Sequence, residues 1–434
     1  MNITRTLKRL ALASIIFPVI CNAASVSSIQ SAQSVLAPKN IIIMIGDGMG
    51  PAYTTAYRLY KDDPTTAKIE PTIFDEILVG MARTSPARMS GYVTDSAAAA
   101  TALSSGVKTY NGAIGKDAHK HDVTTLLERA KTQGKAIGVA VTSQVNHATP
   151  AAFLAHNDSR KNYEQIAQAY LHSDADVILG GGQKYFSKSL INKFESKGYQ
   201  YVSQFDHLNQ VKSGKVLGLF AKVQLPWAVD NPDAHQLSTM TEKALEVLSQ
   251  SDKGFVLLVE GSLIDWAGHY NDMVSAMGEM DEFARTVMIV RQFVKQHPDT
   301  LMVVTADHET GGLTVGAGNR KRWKPEVLRK IHNSPTAIVD ELSYAFDWQL
   351  SLVEQLGFQP KKKEMAKLVT VYEDKTKLAF AISELINKYS LTGWTSDDHT
   401  AVDVQVFAAG QGAEKFIGSQ ENTDIANKLA DMLK

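Results

Sequence analysis

The feature that most restricts the fold of this chain is a set of apolar segments, each followed by glycine, acidic or histidine residues. The segments lie at residues 40–45, 136–142, 176–179, 255–259, 301–305 and 402–408. Most of them lack the polar–apolar alternation of a half-exposed strand, which indicates strands buried on both faces. Helix-like stretches separate them at 123–133, 162–172, 237–250, 274–296 and 424–433. The pattern predicts an α/β fold with a mostly parallel central sheet and helices on both faces.

Polar residues follow the predicted strands at their carboxyl ends. Asp47 lies between two glycines after the first segment, and Glu260 and Asp307 follow two later segments. The glycines beside Asp47 permit a tight turn in which the backbone approaches an ion or ligand closely. Ligands of open α/β sheets bind at this edge of the sheet. We therefore expect one composite site built from several loops.

The strand pattern stops between residues 316 and 393. This stretch is lysine-rich, has helical periodicity and contains no obvious apolar strand. We interpret it as a mainly helical insertion within a single domain that spans residues 40–434.

The composition is that of a folded protein and gives no indication of a strongly charged partner. Hydrophobic residues make up 44% and charged residues 21% of the 434 positions, which is enough apolar material for a large core. The formal net charge of −1 argues against general binding to nucleic acid or to an anionic membrane.

The first 24 residues have the organisation of an export signal. Arg5, Lys8 and Arg9 precede an apolar run at 10–20, and small residues follow around Cys21. The run is too short for a permanent membrane anchor. We expect residues 1–24 to be a cleaved signal peptide, residues 25–39 a loose leader, and the mature protein to be periplasmic or secreted. Lipid attachment at Cys21 is the alternative, which the bulky preceding residue Ile20 disfavours.

Ser96 lies between an acidic residue and a run of alanines. The alanine run predicts a helix that begins at or near Ser96. Free backbone N–H groups at a helix start can hold the anionic oxygens of a phosphate. A serine in this position is therefore a candidate nucleophile, although a plain helix cap has the same local sequence.

Acidic residues and histidines recur in pairs that suit a metal ion. Asp265 and His269 are four residues apart and share one face of a helix, Asp307 and His308 are adjacent, and His399 lies in a polar loop. Carboxylates with imidazoles and without cysteine favour zinc, magnesium or manganese over copper or iron–sulfur clusters.

Together these residues belong to motifs that resemble the alkaline phosphatase family in content and order. The motifs are IGDGMG at 45–50, VTDSAAAAT at 93–101, GVKTYNG at 106–112, SRK at 159–161, VEG at 259–261 and TADH at 305–308. The resemblance extends from residue 40 to about residue 316 and returns around His399. It implies the family's three-layer sandwich fold and a catalytic domain at residues 40–434.

The resemblance also implies a role for each matched residue. Ser96 is similar to the nucleophile that becomes phosphoserine, and Arg160 to the arginine that grips two phosphate oxygens. One zinc ion would be bound by Asp265, His269 and His399. A second zinc ion would be bound by Asp47, Asp307, His308 and Ser96. One magnesium ion would be bound by Asp47, Thr149 and Glu260.

Two residues depart from the best-known bacterial pattern. His147 and Trp266 occupy positions where that pattern often has Asp and Lys. His147 either binds a zinc ion at the third site directly or contacts a water on magnesium there, so the third metal stays open. Trp266 lacks the positive charge of a lysine, which leads us to hypothesise weaker binding and easier release of phosphate.

The implied reaction is the hydrolysis of a broad range of phosphate monoesters to alcohol and inorganic phosphate at alkaline pH. Two zinc ions serve the entering and leaving oxygens in this scheme. The resemblance implies a homodimer, and insertions at the location of residues 316–393 form a crown over the entrance in some relatives. Two alternatives stay open: a phosphodiesterase or nucleotide pyrophosphatase on the same metal core, and a catalytically silent phosphate- or metal-binding protein.

Overall fold

The structure is a computed structural model that describes residues 37–232 and 235–433. The predicted signal peptide at 1–24 and all but the last three residues of the predicted leader lie outside the described residues. In the described part of the chain, no helix is both long and apolar enough to span a membrane.

A large sheet forms the centre of the molecule, and two short two-stranded ribbons accompany it. The strands are β1 Asn40–Gly46, β2 Leu78–Arg83, β3 Ala136–Gln144, β4 Val177–Gly181, β5 Tyr199–Val202, β6 Lys215–Leu219, β7 Phe255–Gly261, β8 Thr300–Thr305, β9 Glu309–Thr310, β10 Thr314–Val315, β11 Thr392–Gly393, β12 His399–Thr400, β13 Val404–Gly410 and β14 Gly418–Glu421.

Ten strands make up the large sheet, in the order β14-β2-β13-β8-β1-β7-β3-β4-β6-β5. Every pairing is parallel except those of β13, which runs antiparallel to both β2 and β8. Strands β1, β7 and β8 lie in the middle and are buried along their whole length, as their unbroken apolar sequences require.

Helices flank the large sheet or form the segment between residues 316 and 393. They are α1 Pro51–Lys61, α2 Ile73–Ile77, α3 Ser96–Ser105, α4 Leu126–Thr132, α5 Ala148–Leu154, α6 Tyr163–Ser173, α7 Lys188–Ser196, α8 Gln236–Leu248, α9 Leu263–His269, α10 Met273–Gln296, α11 Pro325–Leu328, α12 Pro335–Leu342, α13 Trp348–Leu356, α14 Lys362–Val371, α15 Lys375–Ser390 and α16 Asn422–Met432. Short 3₁₀ helices lie at Arg88–Ser90, Gln183–Tyr185, Phe205–Gln210, Ala228–Asp230 and Ala413–Phe416.

The helices that flank the central strands form two groups. Helices α8 and α9 both pack on α10, while α3, α4, α5 and α16 pack together as a second group. Both groups contact strand β7, which is buried on both faces. This arrangement confirms the predicted α/β fold with a mostly parallel sheet between helical layers.

The stretch from 316 to 393 adds no strand to the large sheet. It holds helices α11 to α15, and its last two residues form β11, which pairs antiparallel with β10 just before the stretch begins. Helix α15 packs against α11, α12 and α14. The prediction of a mainly helical segment at this place is confirmed.

Candidate active site

Four neighbouring strands deliver polar side chains to one edge of the sheet. In the order β8-β1-β7-β3, Asp307 follows β8, Asp47 follows β1, Glu260 is the next-to-last residue of β7 and His147 follows β3. Ile45 pairs with Glu260 on one side and with Thr305 on the other, so these strand ends are level. Level ends of parallel strands bring side chains that are more than 200 residues apart into one cluster.

Helix α3 brings Ser96 to this cluster. The helix begins at Ser96, as predicted, and its N-cap is Asp95, whose Oδ1 accepts a hydrogen bond from the backbone N–H of Ala98 at 2.9 Å. The small alanines that follow allow α3 to pack closely and be almost fully buried. Ser96 is 1% exposed, and its Oγ lies 3.2 Å from Nε2 of His308.

The first predicted metal group converges. Asp265 and His269 share a face of helix α9, with Oδ2 of the carboxylate 3.4 Å from Nε2 of the imidazole. Strand β12 carries His399 to the same point, where its Nε2 lies 3.2 Å from Nε2 of His269 and 3.6 Å from Oδ1 of Asp265. Two imidazole nitrogens and a carboxylate that face one point form a suitable set of zinc ligands.

The second predicted group converges beside the first. Nε2 of His308 lies 3.5 Å from Oδ1 of Asp47 and 3.3 Å from Oδ2 of Asp307. Nε2 of His308 is also the atom that faces Ser96. All three members of the acid–histidine set are fully buried. The hydroxyl of Ser96 therefore lies next to the place where these ligands would hold an ion.

The third predicted group shows the clearest sign of a missing partner. Both carboxylate oxygens of Glu260, both of Asp47, Oγ1 of Thr149 and Nδ1 of His147 are buried and have no hydrogen-bond partner in the part of the chain that the structure describes. Buried polar atoms in proteins are almost always paired. Unpaired ligand atoms of this kind, most of them oxygens, suit a divalent cation.

Distances between potential ligand atoms support the same grouping. Sets of carboxylate and imidazole atoms within 4.8 Å of one another are formed by Asp265–His308–His399, His269–Asp398–His399, Asp47–Asp307–His308 and Asp47–His147–Glu260. Asp47 belongs to two of these sets and so connects the second and third groups. Asp398 is a further candidate that the predicted ligand set does not contain, although it directly precedes His399.

Further residues orient the imidazoles and carboxylates, and sequence analysis did not single out these contacts. Nδ1 of His269 donates to the backbone carbonyl of Asp397 at 2.7 Å, and Nδ1 of His399 donates to that of Thr94 at 2.9 Å. Oγ1 of Thr310 donates to Oδ1 of Asp265 at 2.5 Å. Such contacts leave Nε2 of each imidazole free for a metal.

Arg160 faces the same cavity as Ser96. Its Nη1 donates to Oδ2 of Asp95 at 3.0 Å, and its Nη2 lies 3.1 Å from Nε2 of His147. The cavity has a volume of about 330 Å³, and its lining includes Ser96, Arg160 and the aromatic side chains of Trp266 and Tyr270. The arginine and the serine can therefore contact one bound phosphoryl group.

Burial of several ionisable side chains dominates the electrostatics of this centre. Burial raises the pKa of Glu260 to about 8 and that of Asp307 to about 6. Burial, followed by the charges of Asp307 and Asp265, raises the pKa of Asp47 well above its usual value. Burial lowers the pKa of His147 to about 3, with a further contribution from the charge of Arg160. Ionised carboxylates that are buried close together are energetically unfavourable, and bound cations would offset that cost.

Trp266 completes the lining where lysine is often found in the best-known bacterial pattern. Its ring contacts the ring of His147 edge-on, with centroids 5.8 Å apart and an interplanar angle of 70°. An indole at this position adds no charge to the cavity that contains Ser96.

Comparisons with known proteins point to one family. The sequence model of the family described as alkaline phosphatase matches residues 38–434. Alkaline phosphatase 3 of Bacillus subtilis is 41% identical over 411 residues, covering 91% of this chain and 89% of its own. The crystal structure of the cold-active alkaline phosphatase from a psychrophilic Shewanella is 55% identical, covers 91% of this chain and 100% of its own, and has a TM-score of 0.90.

A more distant structure is similar along most of its length. A His-to-Glu mutant of the TAB5 alkaline phosphatase, with Mg bound in a site called M3, is 28% identical and covers 92% of this chain and 98% of its own at a TM-score of 0.70. These matches confirm the prediction of a metal-dependent phosphomonoesterase. The chain belongs to the alkaline phosphatase family of metal-dependent phosphomonoesterases.

Proposed function

We propose that Ser96 is the nucleophile of this phosphomonoesterase and that Arg160 binds the transferred phosphoryl group. The observation that carries the proposal is the 3.2 Å separation between Oγ of Ser96 and Nε2 of His308, inside a cavity that Arg160 also lines. A serine hydroxyl is a weak nucleophile at its ordinary pKa and needs a neighbouring group that favours loss of its proton.

Zinc is the proposed metal of the first two groups, and magnesium that of the third. Imidazole nitrogens of His269, His399 and His308 favour zinc, whereas the oxygens of Thr149 and Glu260 favour magnesium. The nitrogen of His147 leaves zinc as the alternative in the third group. Such ions would lower the pKa of a bound hydroxyl or water and offset phosphoryl charge.

The residues of the chain have distinct tasks in the proposed reaction. Ser96 attacks phosphorus, the bond to the alcohol oxygen breaks, and the alcohol leaves with a proton. Water then attacks the phosphoserine and releases inorganic phosphate, which restores the hydroxyl. The planar fork of Arg160 donates two hydrogen bonds to non-bridging oxygens in both steps. Because these proposed contacts are to the phosphoryl group alone, we expect a broad range of monoester substrates.

The decisive experiment combines a substrate comparison with one variant. Purified protein loaded with zinc and magnesium should hydrolyse nitrophenyl phosphate far faster than bis-nitrophenyl phosphate. Ser96→Ala should lose roughly a thousandfold or more of the monoester rate while it still binds metal and phosphate. The assignment of Ser96 is wrong if this variant keeps the parental rate.

The pH dependence, metal content and reactivation provide a second test. We expect the monoester rate to rise towards alkaline pH, and a flat or acid-peaked profile contradicts this. Protein stripped of metal should be inactive and should regain its rate with zinc, and then further with magnesium. Reactivation by magnesium alone would contradict zinc in the first two groups.

Location, assembly and domain organisation are also proposals. The apolar run at 10–20 behind basic residues supports a signal peptide at 1–24, a leader to residue 39 and export to the periplasm or medium. Family membership supports a homodimer, with residues 40–434 as the catalytic domain and 316–393 as a crown-like insertion. Cell fractionation with amino-terminal sequencing and light scattering of the purified protein test these points.

A further inference from the structure

A second cavity, separate from the active site, lies in the helical region between residues 316 and 393. It has a volume of about 410 Å³. The loop before α11, the first residues of α14, the last turn of α15 and strand β11 form its walls. None of its lining residues belongs to the lining of the cavity that contains Ser96. We call it the basic cavity.

Positive charge dominates the lining of the basic cavity. Four cationic side chains contribute to it, namely those of Arg320, Lys324, Lys361 and Lys388. Glu364 is the single acidic residue among the lining residues. The remaining lining is neutral. Formal charge in the cavity is therefore clearly positive.

Glu364 is already fully engaged by its neighbours. Its Oε1 accepts from Nζ of Lys388 at 2.6 Å, and its Oε2 accepts from the hydroxyl of Tyr389 and the backbone N–H of Lys361, both at 2.8 Å. These contacts neutralise Lys388. Within residues 37–232 and 235–433, Arg320, Lys324 and Lys361 form no ion pair, so their charges stay uncompensated.

Local helix stability does not explain this excess of charge. A cation near the end of α15 offsets the negative end of the helix dipole, and Lys388 meets that need. Lys324 is held at the end of α15 by its backbone, whose N–H donates to the carbonyl of Ser390 at 2.8 Å. Its ammonium group is not required for that contact. Like charges around a concavity repel one another unless an anion joins them.

The cavity wall is braced before any ligand arrives. Nε1 of Trp323, adjacent to Lys324, donates to Oγ1 of Thr392 in β11 at 2.9 Å. Strand β11 is in turn paired with β10. Fixed walls reduce the ordering that binding requires.

We propose that the basic cavity binds a small anion that carries two or more phosphate- or sulfate-like groups. Three uncompensated cations match two or three negative charges, and the volume is in the range of small-molecule sites rather than of a macromolecular surface. Two adjacent acidic groups offset more of this positive charge than a single monovalent group does.

The test uses the metal-loaded full-length enzyme and propane-1,3-disulfonate, a stable dianion that has no ester bond to hydrolyse. Isothermal titration calorimetry should show saturable binding of one disulfonate per chain and clearly weaker binding of methanesulfonate. The double variant Lys324→Glu with Lys361→Glu should bind the disulfonate roughly tenfold more weakly or worse, because two attractive charges become repulsive. The neutral pair Lys324→Gln with Lys361→Gln should show an intermediate loss.

The matched control is the double variant Lys68→Glu with Lys222→Glu. Both lysines are exposed and lie outside the cavity, and the change in net charge is identical. The control should bind disulfonate within twofold of the parent. Unchanged hydrolysis of nitrophenyl phosphate shows that the double variants are folded, and the glutamine pair replaces the glutamate pair if the latter fails this check.

Three results would overturn the proposal. The parent enzyme could show no saturable binding of disulfonate. The cavity variants and the control could lose affinity equally, which would indicate a general effect of charge. Binding could also disappear in Arg160→Ala but persist in the cavity variants, which would place the dianion in the active site.

Discussion

Asp95 joins the start of helix α3 to the guanidinium group of Arg160. One carboxylate oxygen accepts from the backbone N–H groups of Ala98 and Gly112, at 2.9 and 3.0 Å, and the other accepts from Nη1 of Arg160 at 3.0 Å. The residue before Ser96 therefore caps the helix that carries the proposed nucleophile and also orients the proposed phosphate-binding side chain.

The first prediction separates these two tasks of Asp95. Asn caps helices as well as Asp does, so Asp95→Asn should keep the stability of the protein. Loss of the charged partner frees Arg160, and the inhibition constant for inorganic phosphate should rise roughly five- to tenfold. Asp95→Ala should show the same rise and also lose about 1 kcal/mol of unfolding free energy. Unchanged phosphate inhibition in Asp95→Asn would contradict the orienting task.

The second prediction concerns the shared ligand Asp47. Because Asp47 belongs to two ligand sets and Glu260 to one, Asp47→Asn should weaken metal binding at both the second and third groups. Glu260→Gln should weaken only the third. Elemental analysis after dialysis should show greater loss of both zinc and magnesium in the first variant and loss mainly of magnesium in the second. Asp122→Asn, an exposed change outside these sets, is the control. Equal losses of zinc and magnesium in the two variants would contradict the assignment of Asp47 to both groups.

The third prediction concerns Trp266. A lysine ammonium in the lining of the cavity would attract phosphate by about 1 kcal/mol at an intermediate effective dielectric. Trp266→Lys should therefore lower the inhibition constant for phosphate roughly fivefold and slow turnover if product release limits the rate. Trp266→Leu removes the ring without adding charge and should not tighten phosphate binding. Equal inhibition constants for Trp266→Lys and the parent would contradict the hypothesis.

Much of the central sheet could be predicted because its middle strands carry their information locally. Strands β1, β7 and β8 are largely continuous apolar runs, and a residue with metal-binding chemistry, such as Asp47 or Glu260, lies at or just beyond the carboxyl end of each. Strands β2 and β14 are short, carry exposed residues and lie at one edge of the sheet, so their sequences lack this signature. The reversed direction of β13 is set by its neighbours, which its own residues do not reveal.

Some of the metal-binding residues could also be predicted from local spacing, because two residues four apart on a helix, such as Asp265 and His269, share one face. The residues that orient these side chains could not be predicted in this way. Thr310 reaches Asp265, and Thr94 reaches His399, only because the fold joins positions far apart in the chain. The link from Asp95 to Arg160 spans 65 residues. Contacts of this kind depend on topology, whereas ligand identity depends on residue type.

The fourth prediction concerns a partly exposed ion pair outside the active site. Nδ1 of His156 contacts the carbonyl of Gly115 at 2.7 Å, and Nε2 contacts Oε1 of Glu128 at 2.8 Å. Both partners are acceptors, so both ring nitrogens can donate only when the imidazole is protonated. The hydrogen bond with Glu128 accordingly raises the pKa of His156, against the effect of burial.

A histidine whose pKa is raised on folding stabilises the folded state fully below its unfolded pKa of about 6.5 and loses that contribution as pH rises through the folded pKa. The carboxylate of Glu128 is 40% exposed, so solvent screening limits the contribution to about 1 kcal/mol. Urea unfolding should show His156→Gln less stable than the parent by that amount near about pH 5.5, with the difference shrinking towards about pH 9. Glu128→Gln should show the same trend. The parent and both variants keep the metal ligands, so the pH dependence of metal binding cancels in the difference between them. A difference in stability that stays constant across this pH range would mean that the pair is not ionic.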